Sequence, residues 1–132
     1  MIVLTNTIAQ TLAPGQSLAF DEVILRKGCN ECHRKNTASV KLRSNGVYAA
    51  SFHGNVDGAT AEGPAQLALT LGGSPLLETT MISSTTGINN VGTETLIQNC
   101  CGDYDRVSVT NTGTVPVVVS PNANLILYKK GN

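Results

Sequence analysis

The stretch SVKLRSNGVYAASFHG, residues 39–54, constrains the fold more than any other part of the chain. Val40 and Leu42 alternate with Lys41 and Arg43, Ser44-Asn45-Gly46 interrupts the run, and Tyr48, Ala50 and Phe52 then fall on one face. A period of two is that of a strand with one face buried, and the Ser-Asn-Gly interruption supplies turn geometry. The segment therefore reads as strand, turn, strand. The same grammar recurs in AQLALTLGG, where Leu67, Leu69 and Leu71 sit two apart and Gly72-Gly73 signals a tight turn into PLLETTMIS, as in a hairpin. TLIQNCC, RVSVTNTG, VPVVVSP and ANLILYKK follow, each closed by Gly, Asn, Asp or Pro. Only the segment around GTETLIQ could be helical, and it is short. Many short strands with no helices between them predict an all-β fold, an antiparallel sandwich or barrel, in a single domain over residues 1–132.

Two of these strands carry a further demand. Val117-Val118-Val119 and Leu125-Ile126-Leu127 are apolar at every position, whereas a sandwich strand ordinarily buries one face and wets the other. The second face needs a cover, from a loop of the same chain or from another subunit. A chain with few long loops favours the subunit. Tyr48, Phe52, Val117, Val118, Val119, Leu125, Ile126 and Leu127 are accordingly the expected core and interface residues.

Composition removes several classes of partner. Nine basic and nine acidic residues in 132 leave no net charge to attract nucleic acid or an acidic membrane. Aromatic residues make up 4% of the chain and Trp is absent, so the stacking platforms of single-strand binders are missing. No apolar run approaches the roughly 20 residues of a membrane span, and MIVLTNTIAQTLAPGQ lacks the basic region of an export signal.

The order of an N-terminal strand and AFDEVI, a polar cysteine-bearing loop, VKLRSNGVYAASFHGNV, LALTLGG, RVSVTNTG and finally NANLILYKK resembles the trimeric jelly-roll heads of the tumour necrosis factor and complement-head superfamily. The likeness is nearest to the bacterial and phage branch, which includes heads capping collagen-like fibres on spore surfaces. Gly46-Val47-Tyr48 leading into Phe52, the Leu67 to Gly73 strand with its glycine turn, and the closing Asn124 to Tyr128 strand carry it. The resemblance spans nearly the whole chain and implies a two-sheet jelly roll of about ten short strands, assembled around a threefold axis lined by apolar strand faces. The Gly-X-Y stalk of many relatives is absent from the sequence.

Cys29-Asn30-Glu31-Cys32-His33 matches the Cys-x-x-Cys-His pattern of haem attachment. Haem would also need a distal ligand, for which Met81, His53 and Met1 are the remaining candidates, and an enclosing fold that this sequence does not predict. Zinc is the stronger rival. Cys29 and Cys32 have the spacing of a zinc knuckle, and Cys100 with Cys101, or one of these with His33, would complete a tetrahedral set. Adjacent cysteines in an extended strand point to opposite faces, so Cys100 and Cys101 would need a turn to reach one ion. The structural alternatives are unpaired thiols, or disulfides from the Cys29/Cys32 loop to Cys100 or Cys101. A bridge of that span closes about seventy residues and contributes roughly 4 kcal/mol in the chain-entropy account.

No nucleophile elbow, zinc-protease helix motif or phosphate loop is present. Asp21-Glu22 and Asp103-Tyr104-Asp105 flank strands, where solvated turn carboxylates are the ordinary outcome, and His53 lies on the opposite side of its strand from Tyr48 and Phe52. The expectation is a non-enzymatic homotrimer with no resident cofactor. A head that starts at Met1 without signal or stalk suits a phage virion surface component, a capsid decoration or head-fibre protein clamped on a major capsid protein or presenting loops to host carbohydrate. The head of a bacterial cell-surface or spore-coat fibre is the alternative, and a zinc- or haem-bearing redox protein the second.

Overall fold

The computed structural model describes residues 1–99 and 106–131. Among these residues, thirteen strands form two antiparallel sheets packed face to face, joined in one connection by a short 3-10 turn. The strands are β1 (Ile2–Thr5), β2 (Gln10–Leu12), β3 (Glu22–Arg26), β4 (Glu31–His33), β5 (Val40–Leu42), β6 (Gly46–Asp57) and β7 (Ala65–Leu71). They continue with β8 (Ser74–Pro75), β9 (Met81–Ser83), β10 (Asn89–Asn99), β11 (Arg106–Asn111), β12 (Val117–Val119) and β13 (Asn124–Gly131). In the first sheet the order is β2-β12-β6-β13-β1-β3, with β10 also paired to the long β6. In the second it is β4-β5-β11-β7-β8, with β9 paired to the other end of β7.

The expected strand-turn-strand of residues 40–52 is present as β5 and β6, but the two strands belong to different sheets, so the turn between them crosses the sandwich. Tyr48 pins that crossing. Its hydroxyl donates to the Ser44 carbonyl at 2.9 Å and lies 3.0 Å from Ser44 Oγ. Gly46 has φ 141°, and a Cβ there would stand 2.4 Å from the Gly131 carbonyl oxygen, so only glycine lets β6 start against the end of β13. The glycine turn after Leu71 does close a hairpin, with Thr70 and Leu71 facing Pro75 and Ser74.

Residues 92–98, where the sequence allowed a helix, form part of β10 instead. All eleven residues of that strand pair with β6, from Asn89 opposite Val56 to Asn99 opposite Gly46. A full-length partner strand overrides a weak local helix preference, and Thr93, Thr95 and Ile97 suit the pleat.

The core lies between the sheets. Tyr48, Phe52, Val117, Val119, Leu125 and Leu127 are fully buried there, beside Ile2, Leu4, Phe20, Leu67, Leu69, Val107 and Val109. Six of the eight residues expected at core or interface are thus core residues of one chain. Val118 and Ile126 alone point outward from their strands.

Two buried asparagines tie distant backbone segments together, Asn111 between the two sheets and Asn6 among loops of the first. Asn111, on β11 of the second sheet, donates through Nδ2 to the Leu12 carbonyl of the first sheet at 2.9 Å and to the Val115 carbonyl at 2.8 Å. Its Oδ1 accepts the Gly113 N–H at 2.9 Å. Asn6 likewise donates to the Ile8 and Ser120 carbonyls and accepts from the Ala123 N–H. Each amide satisfies backbone groups that burial would otherwise strand, at a cost of about 1–3 kcal/mol for each one lost.

Candidate functional site

The outer face of the first sheet is set by strand register. Val3 of β1 lies between Leu25 of β3 and Ile126 of β13, and Ile126 faces Ser51 of β6 on its other side. Ala49 lies between Tyr128 of β13 and Leu96 of β10. Paired residues share a face, so these side chains form two adjoining rows running from the β3 edge to β10. Leu25 is 45% exposed, Leu96 57% and Tyr128 37%, while Val3, Ala49 and Ile126 are half-buried by their neighbours. Between Leu96 and Tyr128 lies a hollow of about 350 Å³ floored by Ala49 and Ser51, with Glu94 and Lys130 supplying opposite charges on its rim.

Val118 has different surroundings. It faces Thr11 of β2 and Asp57 of β6 at the far end of the sheet, so its outward methyl groups stand among polar neighbours. The expectation of a two-faced apolar strand therefore holds better for β13 than for β12. The rest of the two rows comes from Val3 of β1, Leu25 of β3, Ala49 of β6 and Leu96 of β10.

In the cysteine loop, Cys32 and His33 are successive residues of β4 and point to opposite sides. Cys32 is exposed, whereas His33 is buried and meets the edge of the Phe20 ring. Its Nδ1 lies 3.1 Å from the Ser39 carbonyl and its Nε2 3.0 Å from that of Phe20. Alternation along a strand thus takes His33 away from Cys32, and both ring nitrogens are already engaged. In this arrangement His33 faces the Ser39 and Phe20 carbonyls and not the side of β4 that carries Cys32.

Cys29 and Cys32 are both free, exposed thiols. Cys100 and Cys101, the other half of the expected disulfide or zinc cluster, lie outside the described residues, as does Asp103-Tyr104-Asp105. Their described flanks both meet β5, the partner of β4: Asn99 donates to the Leu42 and Ser44 carbonyls, and Arg106 pairs with Lys41. Among the described residues no group of three or more His, Cys, Asp or Glu side chains is placed to hold a metal ion.

His53 is exposed on the outer face of the first sheet, as its place in the alternation requires. Asp21 accepts hydrogen bonds from the Thr7 hydroxyl and, at 2.8 Å, from the Thr7 N–H. These donors, the hydroxyl first, hold its carboxyl below its ordinary pKa, and the carboxylate works as a clasp on the loop after β1. No helix among the described residues is long and apolar enough to cross a membrane.

Comparison with solved structures identifies this architecture as a tumour necrosis factor-like jelly roll. The Eiger tumour necrosis factor from S. frugiperda superposes with a TM-score of 0.79 at 14% identity, over 99% of this chain and 92% of that one. The globular domain of zebrafish complement 1qA gives 0.67 at 14% identity, over 98% of both chains. Vertex protein P5 of PRD1 gives 0.57 at 20% identity, over 99% of this chain and 96% of that one. No protein-family model and no curated protein sequence matches.

Proposed function

We propose that the chain is a non-enzymatic, homotrimeric surface component of a phage virion, a capsid decoration or head-fibre protein that reinforces the particle or presents loops outward. The observation that carries the reading is the apolar outer face of the first sheet. Leu25, Val3 and Ile126 in one row, and Tyr128, Ala49 and Leu96 in the next, lie exposed or half-exposed although nothing in strand packing requires apolar residues there. Apolar area removed from water stabilises an assembly by about 25 cal/mol per Å², and a contiguous patch of this kind on a lone chain is an aggregation hazard. A second and third copy are the cover that suits it. The shared fold of a virion vertex protein supports the placement on a particle, and the major capsid protein is the partner this reading requires.

Light scattering on the purified chain at micromolar concentration tests the assembly. Three times the mass of one chain is expected, and a stable monomer would overturn it. Deletion from the encoding genome tests the particle role. Particles lacking the protein should assemble but lose resistance to heat or dilution, because a bound trimer stabilises only the assembled lattice. Particles unchanged in both stability and host attachment would sink the virion reading.

A further inference from the structure

We propose that the outer face of the second sheet carries a binding site for an acidic saccharide, whose sulfate or carboxylate group is held between the guanidiniums of Arg34 and Arg106. This site does not depend on the trimer. Register places Cys32 of β4, Lys41 of β5 and Arg106 of β11 in one outward row. The turn after β4 brings Arg34 and Thr37 beside it, with the Thr37 hydroxyl and N–H both donating to the Arg34 carbonyl. Together with Ser39 these residues enclose a groove of about 240 Å³.

Three cations and two hydroxyls thus border one concavity in a chain whose charges sum to zero, and no carboxylate borders it among the described residues. Lys41 has a partner of its own, so recognition is assigned to the two guanidiniums. Arg106 donates to Ser39 Oγ at 3.4 Å, which orients the head group and uses one of its five N–H donors. A guanidinium matches the paired oxygens of a carboxylate, sulfate or phosphate better than an ammonium does. The groove is smaller than the roughly 300 Å³ at which sites for drug-sized molecules begin, so it takes the anionic group rather than a whole ligand.

What lies beside the groove selects a saccharide as the carrier. The outward residues of β11 are Arg106, Ser108 and Thr110, spaced roughly 6.8 Å apart along the strand. Ser108 Oγ lies 2.5 Å from Thr70 Oγ1, and Thr110 Oγ1 lies 2.7 Å from Ser17 Oγ. Along β11 the cationic groove at Arg106 is thus followed by the half-exposed hydroxyls of Ser108 and Thr110, with Thr70 buried beneath them, an order that suits a ligand with a single anionic group followed by hydroxyls. A nucleic acid would call for cations repeated along the track, and Ser108 and Thr110 stand where they would be.

The test is titration of the full chain with a sulfated disaccharide, its desulfated counterpart, inorganic sulfate and a short single-stranded oligonucleotide. The sulfated sugar should bind best. Arg34→Gln and Arg106→Gln should each weaken it about tenfold, the loss expected for a charge-assisted hydrogen bond. Lys35→Gln, which removes a neighbouring charge that does not border the groove, should change it by less than about twofold. Ser108→Ala should weaken the sugar and leave inorganic sulfate unaffected. Unchanged thermal midpoints and unchanged mass by light scattering separate loss of binding from loss of fold or assembly. Equal binding of the desulfated sugar, equal competition by the oligonucleotide, or undiminished binding by the double variant would each overturn the proposal.

Discussion

The outward rows of the first sheet read Leu25, Val3, Ile126 and Tyr128, Ala49, Leu96, while those of the second read Cys32, Lys41, Arg106 and Thr70, Ser108. Inward, leucine and valine line both sheets, and the first adds the rings of Tyr48 and Phe52 on β6. The contrast teaches where the sandwich leaves room for function. Inward positions answer to packing and accept almost any apolar residue of the right volume. Outward positions have no such duty, so apolar residues on one face and cations with hydroxyls on the other need separate explanations. The proposed assembly accounts for the first, and the proposed ligand site for the second.

The largest test of that contrast is a charge placed in the first face. Ile126→Asp should disperse the trimer, raising its dissociation constant a hundredfold or more, since an unpaired carboxylate buried at an interface costs several kcal/mol. Val118→Asp, among Thr11 and Asp57, should cost far less, and sedimentation of the two variants side by side measures the difference. Equal dispersal by both would extend the assembly face across the whole sheet. Next in size is Asn111→Ala, which removes the stitch between the sheets. It should lower unfolding free energy by about 2–4 kcal/mol in urea titration, while the ring-current shifts around Tyr48 and Phe52 in the first sheet stay in place.

Tyr48→Phe keeps the buried ring and frees the crossing turn from its hydroxyl, so about 0.5–1.5 kcal/mol should be lost by the same titration. The smallest effect belongs to Asp21. Its folded pKa lies below the ordinary one, so the clasp contributes fully above the unfolded value and is lost as pH falls through the folded value. Thermal midpoints of the parent chain and Asp21→Asn should therefore differ at pH 6 and converge in acid. A difference that persists at pH 2 would remove the clasp from the account.

The fold was legible because its signal is local. Tyr48, Ala50 and Phe52 announce a buried face within five residues, and Leu67, Leu69 and Gly72-Gly73 a strand with its turn. The apolar outer face of the first sheet was legible only at Ile126, inside an unbroken apolar run. Val3, Leu25, Leu96 and Tyr128 are single residues on separate strands, and only register makes them neighbours. The same holds for Arg34 and Arg106, which a net charge of zero conceals. Val117, Val119, Leu125 and Leu127 suggested an interface because sequence shows that a strand is apolar, not which side meets a core. His33 beside Cys32 suggested a shared ligand set because adjacency in sequence hides the reversal of direction along a strand. Asn6 and Asn111 belong to a residue type that ordinarily marks turns, and their burial follows from distant carbonyls that no local pattern displays.

The last strand of the chain, β13, sits between β1 and β6 in the middle of the first sheet. A ribosome synthesising this chain has therefore already made both neighbours, each with an open row of backbone donors and acceptors, before the strand that joins them exists. Folding of the first sheet must wait for β13 and then close the loop of more than a hundred residues between β1 and β13, which places it among the slow, millisecond-to-second topologies. Until then the unpaired edges invite the wrong partner, a second nascent chain. The hazardous interval is set by how quickly residues 124–131 arrive.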